Sequence, residues 1–414
     1  MNSKTDKFVT LYKPTISLVL NNEIISISVS DIVSITFIHN YDTMTYPIIR
    51  LRLYSDISVI QKVCDYPDDI QVRGCLDAGI YKMNDENKSP TIVSYANTIQ
   101  FQMKGYIENK NIPSSSFDQY QFGIKKTDDM NNNMKVPIEI FCYNETLVHF
   151  MKQKAPSIYK NMSITSIIED IFTRNSIFNY KIDPLHNQTK YDQILIPNLD
   201  IAQTIAFFDD RYGLYRKGGQ LYGDVDALYL CDTNASNNTK PLPIYVESSK
   251  NNSDMSGMKK INNQYQMTTM AGNVSVKTET DIERVLNAPK IADINLTTMT
   301  ANTEELQNLY AATKDFAYSK NISTPNILHK TVSEYVASAY IARLDENITE
   351  IDISGTGFDV SKIKVNSRYN MVFSSPIRGM DMNKHYRAAY ACHVISNLDS
   401  NLFIAQTTMN LRTN

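Results

Sequence analysis

The chain has 414 residues, 42% hydrophobic and 21% charged, enough apolar material to bury a large core without disulfides or metals and to exclude general disorder. Its net charge of −3 gives no electrostatic reason for dedicated nucleic-acid binding, which calls for a clustered basic face. The five cysteines, Cys64, Cys75, Cys142, Cys231 and Cys392, are widely spaced with no CxxC pair or Cys/His ligand run, which points to free thiols in a reducing compartment and against zinc.

The N-terminal Met1–Lys7 stretch leads into no apolar core of signal-peptide length, and no run of about 18 apolar residues occurs to span a bilayer as a helix. A soluble protein made in a cytoplasm is expected, and triplets such as Asn144-Glu145-Thr146 read as chance matches to a glycosylation signal. Tryptophan is absent while Tyr reaches 26, and Asn, Ile and Lys abound, a bias suggesting an AT-rich genome.

From Thr15 to Ile38 apolar residues alternate with Ser, Asn and Thr, the period of half-buried strands, and Asn21-Asn22-Glu23 reads as a hairpin turn. Further strands are predicted at Pro47–Leu53, Gln71–Ile80 and Ile99–Ile107. Next come a strand over Gln119–Lys126, a polar turn over Thr127–Asn133 and a strand over Val136–Tyr143. The first 145 residues thus read as an all-β barrel or sandwich, closed because free edges are hazards.

Asn144–Lys152 reads as helical, and Ser163 can cap a helix over Ile164–Phe172 whose Ile164, Ile167, Ile168 and Ile171 share a face. A second helix begins near Asn198 or Asp200 with Ile201, Ile205 and Phe208 on one side. Tyr212–Tyr215 and Gln220–Tyr222 flank Arg216-Lys217-Gly218-Gly219 like the arms of a hairpin. A polar tract, Thr233–Asn263, suggests long loops at its two ends. Beyond it lie a strand at Val274–Val276, helices at Thr303–Tyr318 and His329–Arg343, and strands at Ile348–Ile353, Tyr369–Phe373, Tyr386–Ile395 and Leu402–Leu411. The last two strands are joined by a polar loop, Ser396–Asn401, a weak echo of the hairpin that ends the first β domain.

Chemistry is sparse. The histidines, His39, His149, His186, His329, His385 and His393, form no HExxH or HxH spacing, and no GxSxG, Walker or GxGxxG signature occurs. Gly355-Thr356-Gly357 reads as a turn. Two carboxylate pairs, Asp209-Asp210 and Asp224/Asp226, could act as acid and base on a glycan if held at the proper separation. The plainer reading places the first pair at a helix end and the second in a turn. Tyr212, Tyr215, Tyr222 and Tyr229 could stack on sugars but fit cross-strand packing better. No catalytic, cofactor-binding or metal-binding residue is assigned.

One ordered set of segments carries a resemblance. Ser163–Phe172 is followed by Ile196–Phe208, then by Tyr212-Gly213-Leu214-Tyr215 and Gly223-Asp224, and the chain closes with Tyr386–Asn397 and Phe403. This helix, helix, hairpin order, with its closing hairpin and the Gly355–Phe373 entry to it, resembles the central baseplate hub proteins of contractile-tailed bacteriophages. The wider group includes the hub domains of VgrG-type injection-system spikes.

The fold so expected is mainly β with α insertions (α+β), with two similar β-barrel domains plus a helix-hairpin module. The expected divisions are 1–145, a first barrel; 146–235, the module; and 236–414, a second barrel with a helical insertion around 300–345. The resemblance implies a structural homotrimer, not an enzyme, that joins a sixfold tail tube to a threefold central spike in the virion baseplate after assembly in the host cytoplasm. Its implied partners are the spike, the tube or a tube-initiator protein and the baseplate wedge proteins, with DNA only in transit and no membrane insertion. A peptidoglycan hydrolase, a glycan-binding host module and the hub of a phage-derived injection particle are the alternatives. A muralytic assay with Asp224→Asn separates the first: activity lost in the variant would support hydrolysis.

Overall fold

The computed structural model describes residues 7–42, 48–67, 69–83, 89–107, 135–156, 158–176, 179–215, 219–233, 240–247, 257–270, 275–278, 349–373, 385–399 and 401–413. β1 (Lys7–Leu20) reverses into β2 (Glu23–Ile27) through Asn21 and Asn22, both with positive φ, the backbone that a two-residue hairpin demands and Asn tolerates. There follow β3 (Ile32–Asn40), β4 (Ile49–Asp56), α1 (Ile57–Asp65), β5 (Gln71–Met83), β6 (Thr91–Tyr95), β7 (Ile99–Tyr106) and β8 (Lys135–Tyr143).

The middle of the chain holds α2 (Glu145–Lys152), β9 (Ile158–Ser163), α3 (Ile164–Arg174), β10 (Tyr180–Ile182), β11 (Lys190–Leu195), α4 (Ile201–Tyr212), β12 (Gly219–Gly223) and β13 (Leu228–Asp232). The remainder is β14 (Leu242–Glu247), β15 (Gly257–Ile261), β16 (Gln264–Met270), β17 (Ser275–Thr278), β18 (Thr349–Thr356), β19 (Arg368–Phe373), β20 (His385–Asp399) and β21 (Leu402–Thr413). The fold is mainly β, as expected, with α-helical insertions.

Hydrogen bonding closes the strands into two barrels that share wall. The first runs β1, β5, β7, β8, β4, β3, β20, β21 and returns to β1, where Leu11 pairs with Ile404 and Tyr12 with Phe403. The second runs β21, β20, β19, β14, β16, β15 and reaches β1 where Phe8 pairs with Met258. β18 lies against β21 in this second barrel, and its Ser354 carbonyl accepts from the Thr269 hydroxyl of β16.

The hairpin β20–β21 fills both interiors. Ile395, Phe403 and Ala405 join the core of the first barrel with Ile16, Leu18, Phe37, Leu51 and Val72. Ala388, Ala391, Met409 and Leu411 join the core of the second with Val246, Ile353, Tyr369 and Met371. Between the two interiors the Tyr12 hydroxyl, fully buried, donates to the Phe358 carbonyl at 2.9 Å and accepts from the Val360 N–H at 2.8 Å.

Several sequence expectations change. The hairpin arms are not Tyr212–Tyr215 and Gln220–Tyr222: Gly213, at φ 66°, stops α4, and β12 pairs instead with the downstream β13. The polar tract contains β14 and β15, and its far end is a two-residue turn, Asn262-Asn263, with both φ positive. α1, β6, β9, β10, β11, β13 and β16 are further elements that the sequence pattern does not mark. The closing hairpin turns more tightly than a Ser396–Asn401 loop allows, because Asp399 still pairs with Leu402. Strand pairing joins the first segment to the last, since β3 bonds to β20 and β1 to β21. The predicted strand over Gln119–Lys126, the turn over Thr127–Asn133 and the helices over Thr303–Tyr318 and His329–Arg343 lie outside the described residues.

Two substitutions test this junction. Tyr12→Phe leaves a buried carbonyl and a buried N–H without their partner, and is expected to lower unfolding stability by about 1–3 kcal/mol. Gly357, at φ +78°, would bring an added Cβ to 2.7 Å from the Val9 Cβ, so Gly357→Ala combines backbone strain with overpacking. A loss of about 2–4 kcal/mol is expected. Urea midpoints at unchanged slope measure both.

Candidate functional site: a buried histidine–aspartate seam

The helix-hairpin module is organised by caps. Ser163 Oγ accepts from the Ser166 N–H at 3.2 Å to start α3, and Asp200 and Gln203 form a reciprocal capping box at the start of α4. Ile167, Ile168 and Ile171 of α3 and Ile201, Ile205 and Phe208 of α4 then meet in one core with Leu228 and Leu230 of β13. Tyr215 drops into this core and donates its hydroxyl to the Asp183 carbonyl at 2.8 Å.

Each sequence-flagged carboxylate has a definite place. Asp209 closes the end of α4: its carboxylate accepts from the Leu214 N–H at 3.2 Å and from the Gly219 N–H at 3.0 Å. Asp210 is exposed. Asp226 is also exposed and holds Lys181 at 2.8 Å and the Tyr229 hydroxyl at 2.9 Å. Asp224, in the turn between β12 and β13, is 5% exposed and reaches across to the first barrel, where its Oδ1 lies 2.7 Å from His39 Nδ1 of β3. Within each pair one member is drawn inward and the other lies at the surface, where Asp226 still holds Lys181 and Tyr229.

His39 shares the inward face of β3 with Ile35 and Phe37, and its ring meets that of His393 edge to face, centroids 5.4 Å apart. His393 is fully buried on β20; its Nδ1 lies 2.9 Å from the Thr407 hydroxyl of β21, while its Nε2 has no hydrogen-bond partner. Burial pushes the Asp224 carboxyl up, but His39 beside it and the Val225 N–H outweigh that and hold it below the usual range. Burial, then the neighbouring His39, push the His393 imidazole well below its ordinary value against the pull of Asp224.

An aromatic patch continues the seam. Tyr41 lies 5.3 Å from Tyr222, which stacks on its cross-strand neighbour Tyr229 at 5.0 Å. Tyr41 accepts from Arg387 Nη1 at 3.0 Å under the guanidinium, and Gln220 Nε2 donates to the Asp42 carbonyl at 2.7 Å. The tyrosines weighed as a sugar platform are core: Tyr212, Tyr215 and Tyr222 are each at most 1% exposed. Elsewhere an open trough of about 390 Å³ lies over β1, β5 and β7 between Ser17, Arg73, Cys75 and Phe101; burial and Asp77 push the Cys75 thiol up, away from the thiolate. Among the described residues no group of three or more His, Cys, Asp or Glu is placed to hold a metal ion.

The seam pins the module to β3 and the residues just after it, through His39, Tyr41 and Asp42. Sequence spacing could not pair His39 with Asp224, which lie 185 residues apart. Alternation could have found the histidines, because His39 follows Ile35 and Phe37, and His393 lies between Ala391 and Ile395, on inward strand positions.

Fold and seam together define a two-barrel β protein with a helical module held against β3 of the first barrel. The sequence profile of the Bacteriophage PBS1 gene 109 protein family matches residues 10–400, and the chain belongs to that family. No curated protein matches it in sequence. Among solved structures it is similar to the 43 kDa tail protein of prophage MuSo2 from Shewanella oneidensis, at 9% identity over 95% of this chain and 96% of that one, with a TM-score of 0.46. It is also similar to the tail protein from Neisseria meningitidis MC58, at 11% identity over 97% of each chain and a TM-score of 0.48. A chain of the Francisella PdpA-VgrG complex matches at 11% identity over 98% of this chain and 58% of that one, with a TM-score of 0.43.

Asp224→Leu would leave His39 Nδ1 buried without its hydrogen-bond partner and is expected to cost about 1–3 kcal/mol of stability. Asp226→Ala, at the exposed edge, should change stability by under about 1 kcal/mol. Equal losses in the two variants, measured by urea unfolding, would contradict the seam.

Proposed function

We propose that this chain is a structural hub subunit of a contractile phage-tail baseplate, assembled as a homotrimeric ring between a sixfold tail tube and a threefold central spike. The observation that most supports this reading is the pair of barrels fused over one hairpin within a single chain. Two barrels per chain let three chains present a quasi-sixfold face while the assembly stays threefold. Membership of a bacteriophage family supports a place in the virion.

In this reading the chain works by assembly and not by turnover. The divisions 1–145, 146–235 and 236–414 then separate working faces: first barrel, module and second barrel. Exposed apolar side chains offer contact area, among them Ile92, Val93 and Tyr95 on the edge strand β6 and the cross-strand pair Ile158 and Leu195. The spike, the tube or a tube initiator, and wedge proteins are the partners, and DNA only passes through the lumen. The −3 net charge suits walls that do not hold phosphate. The hydrolase alternative is weakened because Asp209 and Asp224 are engaged in structural hydrogen bonds.

Light scattering of the purified chain is expected to give three times the 47.2 kDa chain mass, alone or on mixing with spike protein. A monomer at every concentration, with spike and tube proteins present, would overturn the proposal.

A further inference from the structure

The seam has a property that neither barrel closure nor ring assembly requires. Two imidazoles from different strands, His39 on β3 and His393 on β20, lie ring against ring with a single carboxylate between the module and the wall. The groups that face them are few. Thr407 of β21 meets His393 and is neutral; Asp224 of the β12–β13 turn meets His39; the charge of Lys364, ahead of β19, reaches Asp224 and is positive. One buried anion can compensate one added proton.

We propose that the His39–Asp224–His393 cluster is an acid-sensitive latch that holds the helix-hairpin module on the barrel pair at neutral pH and releases it when His393 takes a proton. The physical reason is local. When Nδ1–H of His393 donates to Thr407, its Nε2 is an unfilled acceptor, which a buried site tolerates better than an orphaned N–H. A proton at Nε2 turns that atom into a buried donor with no hydrogen-bond acceptor in reach and places a buried cation against the ring of His39. Opening the seam gives both nitrogens water.

The sign follows from linkage. His393 has a depressed affinity for protons in the folded seam, so the open form binds more protons as pH falls below the free imidazole value of about 6.5. Closure is therefore strongest above that pH and weakens on acidification. Asp224, held below the usual range, works in the same direction but only below about pH 4, the free carboxyl value, so the window between belongs to histidine.

The test is hydrogen exchange of the full chain from pH 7.5 to 5, corrected for intrinsic exchange, comparing β12–β13 and β3 with β5 and β7. Protection of β12–β13 and β3 should fall by up to about tenfold per pH unit below pH 6.5, with β5 and β7 unchanged. His393→Asn, which can still bond Thr407, should abolish that slope. Asp224→Asn removes the carboxylate that ties the β12–β13 turn to His39, so protection of β12–β13 should already be lower at pH 7.5. A flat wild-type profile overturns the latch even if the variants do not fold. So does the same slope in His393→Asn, or equal loss in β5 and β7.

Discussion

A strand in a closed barrel has two edges to satisfy, and β20 and β21 satisfy theirs with different partners along their length. β20 bonds to β19 through Arg387 and then to β3 from Tyr390 onward, and its register against β21 shifts between Ala388 and Tyr390, at that change of partner. An irregularity of this kind bends a strand and re-aims its side chains. It lets one continuous hairpin leave the curvature of one barrel and enter that of the other. β21 does the same on its far side, passing from β1 to β18. The two barrels are thus one hydrogen-bonded body, and no hinge separates them at this wall.

The module is held by other means. Its own core is apolar and complete, with α3, α4 and β13 packed together, so its docking relies on a thin layer of polar and aromatic groups. Buried polar groups have steep orientation requirements, and a mispaired one is costly. Asp224, Gln220 and Tyr222 therefore select one seating of the module against His39, Asp42 and Tyr41. A purely apolar contact would select less sharply.

Local rules in the sequence were readable where the structure is local. Ser163 and Asp200 mark their helices because an N-cap needs a short side-chain acceptor just there, and the alternation through β1 to β3 shows which faces are inward. Asn21-Asn22 was readable as a turn, while the same dipeptide at Asn262-Asn263 was hidden inside a polar tract that suggested loop. α1 was hidden because Ile57, Val59, Ile60 and Val63 favour strands in isolation and become helical through packing of Ile60 and Val63. The seam was out of reach: its members come from β3, the β12–β13 turn, β20 and β21, and only tertiary closure brings them together. The resemblance to phage hub proteins found a bacteriophage family because it rested on the order of elements, which a fold preserves when residues change.

The shared hairpin also sets a timetable. Tyr12 is locked to Phe358, 346 residues further along the chain, and β1 and β3 wait for β21 and β20 to fill the gap between them. During synthesis the strands of the first barrel leave the ribosome long before the pair that closes it. Until then β1 and β3 carry unpaired edges, open to wrong neighbours. Both barrels draw on the same last pair of strands, so neither has its full wall before β20 and β21 have been made.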